Sequence, residues 1–165
     1  MLRIKMCGFN NRDTLRFACQ SGADAIGLNF CTDSPRYVSI DEAQSLAQAI
    51  PSFVSTVALF VDAEKREVEA VTEQVPINLL QFHGDETAAF CEQFSTPYIK
   101  AIRIPTQIQS ADDMRQSLLA ALTSHPQADG FLLDARVDGV AGGTGSKFDW
   151  DALAAILREE QMAVL

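Results

Sequence analysis

Short apolar runs alternate with longer amphipathic stretches along the whole chain. Runs rich in β-branched and aromatic residues predict six strands, which are Arg3 to Cys7, Ala25 to Phe30, Thr56 to Val61, Ile77 to His83, Tyr98 to Ile104 and Gly130 to Asp134. Between these runs apolar side chains recur every three or four residues, as at Val68, Val71 and Val75, which indicates amphipathic helices. Ser39 and Glu42 predict a capping box at the start of the second helix. This order of elements is typical of an α/β protein.

The predicted strand ends recur at roughly 20 to 30 residues, which is the size of a βα unit. Near-continuous apolar strands joined by helices form parallel sheets that are buried on both faces. Two architectures fit this pattern, an open doubly wound sheet and a (β/α)₈ barrel. The 165 residues hold about six βα units, and Met162 to Leu165 reads as the start of strand seven. We therefore predict one domain over residues 1–165 that is C-terminally incomplete by roughly two units.

Charge and composition narrow the classes of partner. The formal net charge is −9 and the isoelectric point is about 4.6, which disfavours binding to nucleic acid or to anionic membranes. No apolar stretch approaches the roughly 20 residues of a membrane span, and no leader is evident at the start, so we expect a cytoplasmic protein. The four cysteines lack C-x-x-C or zinc-like spacing and are predicted to be free thiols.

Four residues with reactive or charged side chains fall at predicted strand ends, namely Cys7, His83, Arg103 and Asp134. In either architecture the carboxyl ends of the strands carry the working residues. A thiolate can act as a base or nucleophile, and a protonated carboxyl group can donate a proton. Three of these residues also have a plainer interpretation. Cys7 would be a small buried hydrophobic residue, His83 a helix-entry residue bonded to Asp85 or backbone, and Asp134 a cap or loop ion pair.

The remaining candidates carry weaker signals. Cys19 and Cys91 lie on helical patterns and are predicted to be core residues, whereas Cys31 lies in a loop and its role stays open. His125 follows a predicted helix beside a proline and is expected on the surface. Asp62 and Asp85 are expected in the first turns of helices, where a carboxylate complements the helix dipole.

Two loops add binding chemistry. Ser34-Pro35-Arg36-Tyr37 is a proline-stiffened turn that presents one arginine, suited either to a carboxylate or merely to solvent. Residues 139–147 read G-V-A-G-G-T-G-S-K, which lacks the full phosphate-loop pattern. Four glycines in seven residues favour instead a mobile lid that closes over a substrate.

Five blocks of this sequence resemble the phosphoribosylanthranilate isomerase family of tryptophan biosynthesis. They are Lys5-Met6-Cys7-Gly8-Phe9, Gly27-Leu28-Asn29-Phe30 with Ser34-Pro35-Arg36-Tyr37-Val38, Leu80-Gln81-Phe82-His83-Gly84, Leu132-Leu133-Asp134, and Gly142-Gly143-Thr144-Gly145 with Phe148-Asp149-Trp150. Each block alone is weak, but the ordered set is specific and spans essentially the whole chain. The resemblance implies a (β/α)₈ TIM barrel of which about six units are present.

The resemblance also implies an Amadori rearrangement of N-(5-phosphoribosyl)anthranilate to 1-(2-carboxyphenylamino)-1-deoxyribulose 5-phosphate, with no metal or organic cofactor. Opening the ribose ring needs a proton delivered to the ring oxygen, and moving the carbonyl needs a proton removed from the adjacent sugar carbon. By match to the family pattern, Asp134 is the general acid and Cys7 the general base. The partner is then a small anionic substrate, with no nucleic acid or membrane, and the protein is a monomer or a homodimer.

The same resemblance assigns the substrate-binding residues. Arg36 would hold the anthranilate carboxylate with help from His83, and the glycine-rich loop would contact the substrate through Gly142, Gly143 and Thr144. The phosphate-binding residues are expected beyond Leu165. Two alternatives remain at this point. One is another phosphate-binding barrel enzyme, which would need a catalytic lysine or carboxylate where Cys7 stands. The other is a truncated barrel that acts as a binding or structural module.

Overall fold

The structure is a computed structural model that describes residues 3–105, 111–136 and 153–156. Its elements are β1 (Lys5–Cys7), α1 (Arg12–Gln20), β2 (Ala25–Asn29), α2 (Ile40–Ala47), β3 (Ser55–Phe60), α3 (Lys65–Gln74), β4 (Leu79–Phe82), α4 (Ala88–Cys91), β5 (Tyr98–Pro105), α5 (Ala111–Ser124) and β6 (Gly130–Arg136). The six predicted strands are confirmed, and their ends fall within two residues of the predicted ones.

The chain forms two compact units, Met1–Tyr98 and Ile99–Leu165. In the first unit β1 to β4 pair in chain order and all pairs are parallel. In the second unit β5 and β6 are also parallel. The predicted α/β class with parallel strands is confirmed. The single domain and the number of βα units stay predictions, because residues 137–152 and 157–165, including the predicted seventh strand, lie outside the described residues.

The register of the first four strands sorts their side chains onto two faces, since alternate residues of a strand point to opposite sides. One face carries Phe30, Phe60 and Phe82, whose rings lie in contact across adjacent strands. We call it the aromatic face. Phe90 of α4 packs its ring on Phe82, and so do Phe94 and Tyr98, which follow that helix. The other face, called the polar face, is defined by Cys7, Asn29 and Gln81.

The starts of the helices follow local sequence signals in part. The Ser39–Glu42 capping box is confirmed, with the Ser39 backbone N–H donating to Glu42 Oε2 over 2.8 Å and the Glu42 N–H donating to Ser39 Oγ over 3.3 Å. The expectation for Asp62 and Asp85 is wrong. α3 begins after Glu64 and α4 after Thr87, so both aspartates precede the first turn and belong to the loops.

The second unit has its own apolar core, formed by Ile102, Met114, Leu118, Phe131, Leu153 and Ile156. The sequence placed His125 on the surface, which is wrong, because its side chain is 8% exposed. Its backbone N–H donates to the Leu122 carbonyl over 3.3 Å, one residue after the end of α5. No helix among the described residues is long and apolar enough to cross a membrane.

Candidate active site

Cys7 ends β1 with its thiol side chain exposed, and the interpretation of a buried hydrophobic residue is wrong for it. Its register partner on β2 is Gly27, which is buried. A Cβ atom at position 27 would overlap the Cys7 sulfur and would lie 3.0 Å from Cys7 Cβ. The absence of a side chain at Gly27 therefore provides the space in which the thiol stands.

The loop after β2 is shaped by the buried Asn29. Its Nδ2 donates to Ser34 Oγ over 3.0 Å, and its Oδ1 accepts from the Cys31 backbone N–H over 2.8 Å. The Tyr37 N–H then donates to the Ser34 carbonyl over 3.0 Å, which closes a β-turn with Pro35 and Arg36 at its centre. The predicted proline-stiffened turn is thus present, and its arginine is exposed.

Arg36 lies directly over the residue that follows Cys7. A Cβ atom at Gly8 would meet Arg36 Cδ and would lie 3.2 Å from its Nε. Gly8 also adopts a φ of 88°, a conformation that side chains beyond glycine rarely adopt. Gly8 therefore meets two requirements, a left-handed turn and a close approach of the arginine. The structure thereby brings together two of the residues singled out from the sequence, Cys7 and Arg36.

His83 follows β4, and its backbone N–H extends the ladder by donating to the Phe60 carbonyl over 2.8 Å. Its ring Nδ1 lies 2.9 Å from Nε2 of Gln81, which is 1% exposed. The two residues are two apart along the strand direction and so share the polar face. Gln81 is thus a ring partner of His83, whereas the sequence interpretation considered only Asp85 or backbone.

The turn after His83 is fixed by Glu86, which is 8% exposed. Its Oε1 accepts from the Asp62 N–H over 2.8 Å, and its Oε2 accepts from the Gly84 N–H over 2.9 Å. The Asp85 N–H in turn donates to Asp62 Oδ1 over 2.6 Å. One buried carboxylate therefore ties the loop after β3 to the loop after β4.

Asp134 lies on β6 with its side chain half-buried, directly beside Arg103 of β5 in the parallel register. Both lie in the second unit near the carboxyl ends of their strands, where the sequence placed them. The glycine-rich loop of residues 139–147, with Gly142, Gly143 and Thr144, lies outside the described residues.

The other thiols differ in environment. Cys91 is fully buried, as predicted for a core residue, and burial raises the pKa of the half-buried Cys19. Cys31 is half-exposed in the loop that presents Arg36.

Within the described ranges no three His, Cys, Asp or Glu side chains are arranged to hold a metal ion. The expectation of a reaction without a metal or cofactor stays a prediction.

Residues 4–165 match the family model of N-(5'-phosphoribosyl)anthranilate (PRA) isomerase. The chain belongs to this family. Among its relatives, the N-(5'-phosphoribosyl)anthranilate isomerase of Pseudomonas fluorescens (strain Pf0-1) is 46% identical over 152 residues, which are 92% of this chain and 71% of that protein. By its family the chain is an isomerase. The family is the one of tryptophan biosynthesis that the sequence resembles.

Solved structures of PRA isomerases share the fold. The phosphoribosyl anthranilate isomerase of Thermotoga maritima is 30% identical with a TM-score of 0.81, covering 96% of this chain and 73% of that one. A phosphoribosyl anthranilate isomerase in complex with reduced 1-(o-carboxyphenylamino)-1-deoxyribulose 5-phosphate has a TM-score of 0.67 at 24% identity, covering 98% of this chain and all of that one. These similarities support the predicted TIM-barrel class.

Three residues near the PRA isomerase motifs received no role from the sequence. Gln81 lies inside a quoted block, where period-two alternation from His83 would have placed it on the same face as that residue. Gly27 also lies inside a quoted block, but its place opposite Cys7 depends on the register between β1 and β2. Glu86 gave no such signal, because an acidic residue just before a helix reads as an ordinary N-terminal carboxylate. Its burial depends on two loops that are separated by more than 20 positions along the chain.

Proposed function

We propose that this chain catalyses the Amadori rearrangement of N-(5'-phosphoribosyl)anthranilate, with Cys7 as general base and Asp134 as general acid. The observation that carries the proposal is the placement of Cys7. Its thiol is exposed at the carboxyl end of β1, in space left by Gly27, and the Arg36 side chain lies over the next residue, Gly8. A base next to a carboxylate-binding arginine suits a substrate that carries an anthranilate carboxylate on one side and an acidic C–H on the other.

The proposed chemistry conserves all atoms. Asp134 donates a proton to the ribose ring oxygen as the bond from that oxygen to C1 breaks, which leaves a carbon–nitrogen double bond at C1. The Cys7 thiolate then removes the proton from C2, and the electron pair of that C–H bond forms an enol that is conjugated through C1 to the nitrogen. Transfer of the enol proton to C1 gives the ketone. The Cys7 thiol then releases its proton to solvent and the Asp134 carboxylate takes one up, which restores both groups. No step needs an oxidant or a reductant.

Arg36 would hold the anthranilate carboxylate by two parallel hydrogen bonds, because a guanidinium matches the geometry of a carboxylate. This contact also explains how an acidic chain could bind an anionic substrate. The net charge of −9 repels such a substrate, so a few well-placed cationic side chains must attract it. Gly142, Gly143 and Thr144 remain proposed substrate contacts, and the cytoplasmic location remains a prediction.

The decisive experiment is a steady-state fluorescence assay of phosphoribosylanthranilate consumption. Cys7→Ser and Asp134→Asn should each lower kcat by at least ~10²-fold, the usual contribution of a positioned proton transfer. Far-ultraviolet circular dichroism should stay unchanged. Cys31→Ser is the matched control and should retain full activity, since that thiol lies outside the proposed pair.

Retained turnover in either variant removes that residue from the mechanism. A wild-type protein that binds the substrate without turning it over would instead favour the binding module. A wild-type protein that processes a different sugar phosphate would favour another barrel enzyme.

A further inference from the structure

Gln81 lies on the polar face, where burial of its polar amide group is energetically unfavourable. The side chain is 1% exposed, and among the described residues no donor meets its Oε1 atom. A buried amide oxygen without a partner destabilises the folded state, whereas a leucine of similar volume would fill the same space without that loss. Packing alone therefore does not account for a glutamine at this position.

The other end of the amide makes the informative contact. Gln81 Nε2 lies 2.9 Å from Nδ1 of His83. An amide NH₂ group can only donate, so Nδ1 must offer its lone pair and cannot carry a proton. The ring proton of neutral His83 then resides on Nε2, which makes that atom a donor.

The opposite orientation of the amide is less favourable. It would place the oxygen against Nδ1 and bury the NH₂ group where Oε1 now lies. Buried N–H groups without acceptors are rarer in proteins than under-used carbonyl oxygens, because both hydrogens of the NH₂ group would be left unpaired. The backbone around the ring is also held, since Glu86 fixes the Gly84 N–H immediately after His83.

We propose that Gln81 is a positioning residue that holds His83 as the neutral tautomer with its proton on Nε2. Resting on the proposed function, His83 Nε2 then donates to an anionic oxygen of the anthranilate carboxylate, alongside Arg36. A ring with the opposite tautomer would present a lone pair to that carboxylate and would repel it. Gln81 thus acts through His83 and does not touch the substrate.

The tautomer is measured directly by nitrogen-15 NMR of the ligand-free protein labelled at histidine, at about pH 8 where an ordinary histidine is neutral. This chain has two histidines, and His83→Gln identifies the His83 signals by their loss. The wild type should show a protonated Nε2 and a bare Nδ1. Gln81→Glu should reverse the tautomer, because a carboxylate accepts from Nδ1–H, and Gln81→Leu should show both forms.

Measurements of KM and of the unfolding temperature distinguish a positioning role of Gln81 from a packing role. Gln81→Leu should raise KM only about two-fold, because both tautomers are then populated, while its unfolding temperature equals or exceeds that of the wild type. Gln81→Glu should raise KM about 10- to 100-fold, because the reversed tautomer cannot donate from Nε2 to the carboxylate. Gln93→Glu, on an exposed glutamine after α4, is the matched control for the added charge and should behave as wild type.

The proposal is overturned if the wild type carries its proton on Nδ1, or if Gln81→Glu keeps the wild-type tautomer. It is equally overturned if Gln81→Leu loses stability and activity together, since a purely structural role predicts that pairing. The expected tautomer without any turnover by the wild type would overturn the proposed function but not the placement of the proton by Gln81. The two failures are therefore distinguishable.

Discussion

The two faces of the first four strands share one backbone but hold their side chains by different forces. On the aromatic face, Phe82 contacts the rings of Phe60, Phe90, Phe94 and Tyr98 at centroid distances of 5.8 to 6.2 Å. The burial of apolar surface in these contacts is non-directional, and Phe82 is held by four neighbouring rings at once. The aromatic face therefore supplies stability without needing any single geometry.

On the polar face, each group depends on one or two specific contacts. Cys7 depends on the missing side chain of Gly27, the Arg36 loop depends on the two hydrogen bonds of Asn29, and His83 depends on Gln81. Such contacts contribute little net free energy but fix positions closely. Substitutions on the aromatic face should thus reduce stability, and substitutions on the polar face should reduce activity.

The largest effect is expected from Phe82→Ala. Phe82 is fully buried, and truncation of a buried phenylalanine destabilises a protein by about 3 to 5 kcal/mol, a large share of the ~5 to 15 kcal/mol typical of a domain. Urea unfolding measures the change. Phe53→Ala is the control, because the Phe53 side chain is fully exposed and should change stability by less than about 0.5 kcal/mol. Equal losses in the two variants would contradict the assigned role of the aromatic face.

Gly27→Ala should reduce activity more than stability. The new methyl group would displace the Cys7 thiol, and a misplacement of about 1 Å can cost ~10²-fold in rate. Overpacking should cost about 1 to 3 kcal/mol of stability. The displacement is measured by the rate of Cys7 alkylation in peptide mass spectrometry, with Cys31 of the same molecule as the internal reference. Unchanged alkylation together with unchanged kcat would show that the thiol does not need the space at Gly27.

Arg36→Ala should act mainly on binding. Loss of a hydrogen-bonded contact to the substrate carboxylate costs about 2 kcal/mol, which raises KM about 30-fold. Arg66→Ala removes a guanidinium of the same kind from the exposed surface of α3 and should leave KM unchanged. If kcat collapses in Arg36→Ala while KM stays the same, the arginine serves the chemical step instead.

The smallest effect lies outside both faces, at the start of α2. Ser39→Ala should cost about 1 kcal/mol of stability at neutral pH and leave kcat unchanged. The pKa of Glu42 is lowered from its ordinary value of 4.5, first by the Ser39 backbone hydrogen bond and then by the Ser39 hydroxyl. A carboxylate with a lowered pKa stabilises the fold above its unfolded-state pKa and loses that contribution as the pH falls through the folded-state value.

The stability difference between Ser39→Ala and the wild type should therefore shrink below pH 4.5, as thermal unfolding across acidic pH would show. A constant difference across that range would mean that the ionised Glu42 takes no part in the cap. An effect on kcat would mean that α2 couples to the polar face.

The strands and the Ser39 cap could be predicted from the sequence because their signals are local. Period-two alternation and apolar runs arise from burial, which each strand experiences along its own length. The spacing of apolar residues predicted the helix boundaries less reliably. Phe90 and Phe94 suggested one helix, but α4 ends at Cys91, and Phe94 packs on Phe82 from outside it. Hydrophobic spacing alone does not distinguish these two cases.

Placement at the strand ends also came from the sequence for Cys7, His83, Arg103 and Asp134, since the chemistry of each residue type was visible beside a predicted strand. Only the tertiary structure decided the contacts of the first unit. The burial of Glu86 between two loops, the fit of Arg36 over Gly8 and the pairing of Gln81 with His83 depend on atoms that meet in space. A hydrogen bond needs its partners at close range and in line, and one chain segment cannot specify what another places opposite it.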